Sequence, residues 1–272
     1  MPTKSSLAIT YDALQFTRAM PQDLIDGIPV LMVNRLGSTE TSYMRTENFI
    51  GHCEPDTVYQ VSLDKGFVPT SGEPIKLAAP VEPPHLVLSG KWETKIDYTN
   101  DDSNILGGNG RYVVPTGENH ITIPIAETTP EHLAYYGSYL VKSGDLIRFD
   151  STGNLPVTIT SVGEDYPENY LLKEDLGGGA YLEVHDRPHF HMPLDKDCGG
   201  YLIVGMCGDD GINRVSAFQI PFGYAIHMGP WAIHCDAYII GRHLVIYSAT
   251  PEFSTVILRD QDNGLASIQF DK

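Results

Sequence analysis

Apolar and polar positions alternate in short runs along most of this chain, and the runs rarely extend beyond eight residues before a glycine or proline ends them. That pattern predicts strands and turns in place of long helices. The clearest strands are YQVSL at 59–63, GRYVVP at 110–115 and HITIPIA at 120–126. DLIRFD and PVTITSV alternate on either side of a Ser-Thr-Gly-Asn link at 151–154, which predicts a hairpin. GIPVLMVNRLG at 27–37 is an apolar strand between glycines. Two stretches carry a helical pattern: residues 8–26, interrupted by Pro21, and TPEHLAYYGSYL, with Thr129 as N-cap and Pro130 at the first helical position. Residues 65–90 hold five prolines and predict an irregular connection or an edge strand. The glycine runs at 107–110 and 177–179 precede no helix of the phosphate-binding kind and no Walker lysine, so both are expected to be turns. A boundary is expected near 160–175, separating a β-rich part over 1–160 from a histidine-rich part over 161–272.

Composition narrows the class. The 272 residues are 42 % hydrophobic, with 15 Tyr and 9 Phe, enough to build a sizeable core. With 18 basic and 35 acidic residues the formal charge is −17, and no basic stripe is present to neutralise phosphates, so nucleic acid and anionic lipid are excluded as partners. No signal-peptide pattern and no membrane-length apolar run is visible, which makes cytoplasm the expected location. Cys53, Cys198, Cys207 and Cys235 lack CxxC spacing and are expected to be reduced, mostly packed thiols.

Candidate chemistry is concentrated between 177 and 250. Six of the ten histidines fall there: His185, His189, His191, His227, His234 and His243. Residues two apart on a strand share a face. Glu183 can therefore point with His185, and His189 with His191, with Pro188 bending the chain between the pairs. Two imidazoles on one strand face can bind one divalent ion at about 2.0–2.2 Å, and neutral imidazole beside a carboxylate suits Zn, Fe, Ni or Mn. Pro221, Phe222 and Gly223 predict a tight turn into a strand carrying His227. Gly229 and Pro230 predict another before Trp231 and His234. His189, His191 and His227 are the expected metal ligands. Glu183, His185 and His234 are the expected proton-moving groups. Arg187, Trp231 and Tyr224 are expected to contact substrate, with Arg214 and Arg242 as other possible carboxylate clamps. Met192, Met206 and Met228 are expected to fill the core.

The same residues carry a family resemblance. His189, Phe190 and His191, followed by Pro221, Phe222, Gly223 and His227, resemble the two motifs of the cupin superfamily. Within it, HMPLDKDCGGYLIVGMCGDD, RVSAFQIPFGYAIHMGPWAIH and HLVIYSAT are most similar to the ureidoglycolate lyases. The resemblance covers about 75 residues. It implies a mainly β fold with few short helices: a double-stranded β-helix, or jelly-roll barrel. It also implies a metal held by three histidines and a glutamate, and a lyase acting on a small carboxylate-bearing substrate. The glutamate that the family places after the HxH pair is absent, Asp195 being the nearest downstream carboxylate. Sugar isomerisation, oxygen-dependent cleavage and ligand binding without catalysis are the other activities such a barrel supports. Residues 1–160 are expected to form a degenerate second barrel or an elaboration that pairs subunits, and a homodimer is the expected assembly.

Overall fold

The computed structural model describes residues 21, 23–24, 27, 31–94, 108–247 and 250–271; the expected helix over 8–26 lies largely outside them. The described chain begins its strands with β1 (Asn34–Leu36) and β2 (Tyr43–Cys53), and among the described residues of the apolar run at 27–37 it is Asn34–Leu36 that forms a strand. β3 (Val58–Ser62) and β4 (Gly66–Thr70) form a hairpin, followed by β5 (Leu86–Val87), β6 (Lys91–Thr94), β7 (Gly108–Val113) and β8 (His120–Pro124). Helix α1 (Pro130–Tyr135) comes next, where Thr129 Oγ1 accepts from the His132 N–H at 3.1 Å and Pro130 stands at the start, as the sequence predicts. β9 (Tyr139–Lys142), β10 (Leu146–Arg148) and β11 (Leu155–Val162) lead to a π-helical turn, Pro167–Leu171. The remainder is β12 (Tyr181–His185), β13 (His189–Pro193), β14 (Gly199–Gly200), β15 (Leu202–Cys207), β16 (Asn213–Phe218), β17 (Tyr224–Met228), β18 (Ile233–Cys235), β19 (Ile239–Ile246), β20 (Phe253–Arg259) and β21 (Ser267–Asp271).

Two sheets carry the architecture. One contains the run β11-β19-β13-β17 and the other the run β16-β15-β18-β12. The chain alternates between them, and this strand order is that of a jelly-roll β-barrel. Strands from before residue 160 extend both sheets: β2 pairs with β11, β9 with β17, β5 with β16 and β7 with β20. A third sheet, β10-β3-β4, carries Pro69 in β4, an edge strand where a missing N–H is tolerated.

The expected hairpin of β10 with β11 is not formed. β10 pairs with β3, while β11 pairs with β2 and β19. Every residue of β11 is buried, so this strand needs a neighbour on each edge and a packed layer on each face, and a two-stranded hairpin supplies neither. The glycine run at 107–110 is also reassigned, since Gly108 and Gly110 belong to β7. A Cβ on Gly110 would stand 2.3 Å from the Glu93 carbonyl oxygen, so the glycine there permits close backbone approach. Residues 177–179 do form a turn, with positive φ at Gly178 and Gly179.

Two hydrophobic cores result. The first fills the barrel, with Ile226 and Met228 from one sheet facing Leu202 and Val204 from the other. The second lies on the outer face of the β11-β19-β13-β17 sheet. There Leu155, Val157, Phe190, Met192, Leu244 and Ile246 meet Tyr59, Phe67, Ile147 and Phe149 of the small sheet and its flanks. Phe190 is at its centre, with ring centroids 4.9 Å from Phe67 and 6.2 Å from Phe149. Phe190→Ala is expected to lower the unfolding free energy by about 3–5 kcal/mol, read as a reduced midpoint in urea with an unchanged slope.

Candidate metal centre

β12 and β13 are joined by residues 186–188 and lie in opposite sheets, so their near ends face each other across the barrel mouth. The link is fastened to its neighbours. The Trp231 N–H donates to the His185 carbonyl at 2.8 Å, the Asp186 N–H to the Glu252 carbonyl at 3.2 Å, and Thr250 Oγ1 to Asp186 Oδ1 at 2.7 Å. Strand alternation turns Glu183 and His185 inward from β12. His234, register partner of Glu183 on β18, faces the same way. His189 enters from β13. One ligand atom from each of Glu183, His185, His189 and His234 lies within 4.8 Å of the other three.

The hydrogen bonds decide what each group presents. His234 Nδ1 lies 3.0 Å from the Ala232 carbonyl, which must accept, so the Nδ1 carries the proton and Nε2 keeps its lone pair. His189 Nδ1 is 3.3 Å from His191 Nε2; with His189 donating, its Nε2 is likewise free to ligate. Thr255 Oγ1 donates to Glu183 Oε2 at 3.0 Å and orients that carboxylate. His185 differs: its Nδ1 accepts the Arg187 N–H at 3.3 Å, so the neutral ring presents an Nε2 proton, 3.7 Å from Glu183 Oε1. Three groups can thus ligate, and the fourth presents an N–H as a hydrogen-bond donor.

Burial shapes the electrostatics. It pushes the pKa of His185 down to about 3 and that of His191 to about 4, and it lowers His189 well below the usual imidazole range; the neighbouring His234 adds to each shift. These rings are neutral at physiological pH, the form a metal requires. Desolvation raises the Glu183 carboxyl, while His234 and the Thr255 hydrogen bond oppose the shift.

Behind the cluster stands Asp236, which the sequence reasoning missed. Its Oδ1 accepts from Tyr181 at 2.6 Å and its Oδ2 from Tyr247 at 3.2 Å, and the Tyr247 ring packs 5.7 Å from that of His189. Burial acts to raise its pKa, but His191 and the Tyr181 hydrogen bond outweigh burial and keep it low. The only sequence signal was an acid set between Cys235 and Ala237 in an otherwise apolar strand end.

Several expected site residues lie elsewhere. His227 is the main correction. In the antiparallel pairing His189 faces Met228 and His191 faces Ile226, while His227 faces Phe190. His227 is therefore on the opposite face of the sheet, in the aromatic core, stacked 5.3 Å from Tyr139 and edge-on to Phe149 at 4.9 Å. It cannot share an ion with His189. His191 points into the barrel beside His189 but outside the four-group cluster. Arg187 is held by Ser151 at 3.1 Å and Asp186 at 3.6 Å. Arg214 pairs with Asp210, and Arg242 with Glu47 and Asp195. Trp231 stands on the rim of the mouth, 57 % exposed, at a left-handed φ of 64°. Tyr224 opens β17 four residues before Met228, about 13 Å along the strand from the level of His189, so it does not reach the cluster. Of the three methionines, Met192 and Met228 are buried and Met206 is partly so; all four cysteines are unpaired, and Cys207 is exposed.

The fold and site together define a jelly-roll β-barrel with a histidine-carboxylate cluster inside one mouth. Comparison of the chain with protein-family models finds no match, and comparison with curated proteins finds none. Among the described residues no helix is long and apolar enough to cross a membrane.

His227 generates a test independent of metal. Burial alone lowers its pKa to about 4, and among the described residues its Nε2 has no hydrogen-bond partner. Above about pH 6.5 the ring is neutral in both folded and unfolded chains. As pH falls from there towards 4, the unfolded chain takes up the proton first and stability is lost. His227→Leu is expected to reduce the stability lost between pH 8 and pH 5 by about 2 kcal/mol, measured by urea unfolding at both pH values.

Proposed function

We propose that this chain is a metal-dependent cupin-type enzyme, a lyase acting on a small carboxylate-bearing substrate as ureidoglycolate lyases do. The observation that carries the reading is the convergence of Glu183, His185, His189 and His234 within 4.8 Å inside the barrel mouth. The donor types support it. Two imidazoles and one carboxylate, one imidazole fewer than the set the family resemblance implies, are drawn from β12, β13 and β18 in place of an HxH pair and a downstream glutamate. The residues fit a divalent ion: His189, His234 and Glu183 are hydrogen-bonded so that each turns a lone pair to the centre. Zn, Fe, Mn or Ni suits such N/O ligation. An ion bound there would supply Lewis-acid polarisation of a substrate oxygen.

The remaining steps belong to the chain's own groups. His185, neutral and with its Nε2 N–H turned to Glu183, is placed to donate a hydrogen bond to a leaving nitrogen or oxygen, and Glu183, whose pKa burial raises, to carry the proton. The Arg187 N–H holds the His185 ring in this tautomer. Residues 186–188, 229–232 and 250–252 border the mouth, and the exposed Trp231 supplies an apolar rim for an entering ligand.

Metal content and turnover test the reading. Protein purified without a His tag is expected to contain about one equivalent of a transition metal, removable by chelation. His189→Ala with His234→Ala should bring this to zero, whereas His227→Ala should leave it unchanged. A double variant that kept its metal would exclude this cluster as the site. Ureidoglycolate turnover, followed as glyoxylate release, should fall at least about 10²-fold in His185→Gln while the metal content stays at one equivalent. Metal-loaded protein inactive on ureidoglycolate would exclude that substrate.

A further inference from the structure

A second polar feature enters the barrel from the opposite flank. β1 is a three-residue strand with exposed ends and a buried centre, and that centre is Arg35, 9 % exposed. Its register partner Met44 and, one strand further, Val162 belong to the barrel core, so the arginine points where an apolar residue belongs. A buried guanidinium ordinarily has a carboxylate against it. Among the described residues none lies within ion-pair distance of Arg35. Its Nη1 donates to Tyr166 Oη at 3.1 Å and touches Met44 Sδ at 3.7 Å. Nε and Nη2, the edge of the fork that receives a carboxylate side-on, have no protein acceptor among the described residues. Asp236 accepts from Tyr181 and Tyr247 and lies outside ion-pair distance of Arg35. Arg35 nevertheless shares the interior with the cluster: its charge favours the ionised forms of both Glu183 and Asp236.

We propose that Arg35 is the anion receptor of the barrel, taking the carboxylate of a small ligand on its Nε/Nη2 edge while the ligand's other end faces Glu183, His185, His189 and His234. This rests on the cluster being the metal centre proposed above. It assigns the specificity role to a residue whose sequence position, 150 residues before the cluster's Glu183 and His185, gives no hint of it. It also accounts for the arginine the chemistry needs once Arg187, Arg214 and Arg242 are committed to other partners.

The test uses glycolate, its uncharged isostere glycolamide, and inorganic phosphate, titrated calorimetrically into Co²⁺-loaded protein. Glycolate is expected to bind at least tenfold more tightly than either of the others. Arg35→Met should weaken glycolate at least tenfold while Co²⁺ affinity, read from its visible absorption, is unchanged, and Arg35→Lys should fall between. If Arg35→Met does not fold, the lysine variant and the wild-type ligand comparison still decide. Absent glycolate binding, equal affinity for glycolamide, tighter phosphate, or full glycolate affinity in either variant would overturn the assignment. Failure of wild-type protein to take up one equivalent of Co²⁺ overturns the metal reading instead. The same titration on metal-free protein then decides Arg35, upheld by binding lost in its variants and overturned by binding retained or absent.

Discussion

Strand β13 is buried on both faces, and the placement of everything else in the site follows from that. With a side-chain period of two, Phe190 and Met192 must go one way and His189 and His191 the other. The outer aromatic core claims the first pair, through Phe67, Phe149 and the small β10-β3-β4 sheet. The imidazoles are left to the barrel interior. A slip of one residue would drive two polar rings into the aromatic core and a phenyl ring into the cluster, so packing on the far face holds the register of the ligands. The site inherits its rigidity from a hydrophobic layer that never touches it.

That layer also offsets what the interior gives up. A barrel filled only with branched apolar side chains would be more stable than one carrying Glu183, Asp236, Arg35, the three histidines of the cluster and the tyrosines between them. Buried polar groups are tolerated when they are paired, and much of this set is: Asp236 with two hydroxyls, Glu183 with Thr255, His234 with a carbonyl, Thr158 with Thr160 at 3.1 Å. The exceptions are informative. His185 Nε2 and His191 Nδ1 have no hydrogen-bond partner, and the open edge of Arg35 has none either among the described residues. Unsatisfied buried atoms also occur away from the cluster, at His227 Nε2 in the aromatic core and at Tyr238 Oη, so those of His185 and His191 mark the site only together with the converging ligand atoms.

Much of the architecture was legible from alternation and punctuation: the capped helix at Thr129, the turn at Pro221 and the strand it feeds, and the shared faces of Glu183 with His185 and of His189 with His191. What alternation cannot supply is the face of one strand relative to another. His227 follows a proline-glycine turn just as a motif ligand would, yet its phase against β13 puts it beside Phe190. The hairpin over 151–154 failed for a related reason, since LPVTITSV alternates in polarity although both of its faces are buried. Thr158 and Thr160 pair with each other inside, so their polarity says nothing about solvent. Glu183 and His234 were recognised as proton carriers and not as ligands, because the sequence cannot show that a threonine and a carbonyl turn their lone pairs to a common centre. Arg35 had one visible mark, a charge inside the run LMVNRL. A lone charge in a strand normally marks its solvent face, and only the three-dimensional burial reverses that reading.

His227 and His191 show most directly why the surroundings, and not the residue type, determine the chemistry. Both sit on neighbouring strands of one sheet, both are buried, and both are held neutral with a pKa near 4. For His227 desolvation is the whole cause, and its neighbours are the aromatic rings of Tyr139 and Phe149, which offer nothing to exchange a proton with. For His191 desolvation is opposed by the charge of Asp236, and Nε2 reaches His189. A proton or a positive charge arriving at the cluster is therefore felt along His189, His191 and Asp236, whereas the same charge leaves His227 unaffected behind the plane of the sheet. Two histidines of equal burial and equal pKa thus differ in the one property that matters for function, a connected path to groups that can respond. The strand's alternation assigns that path to one face and denies it to the other.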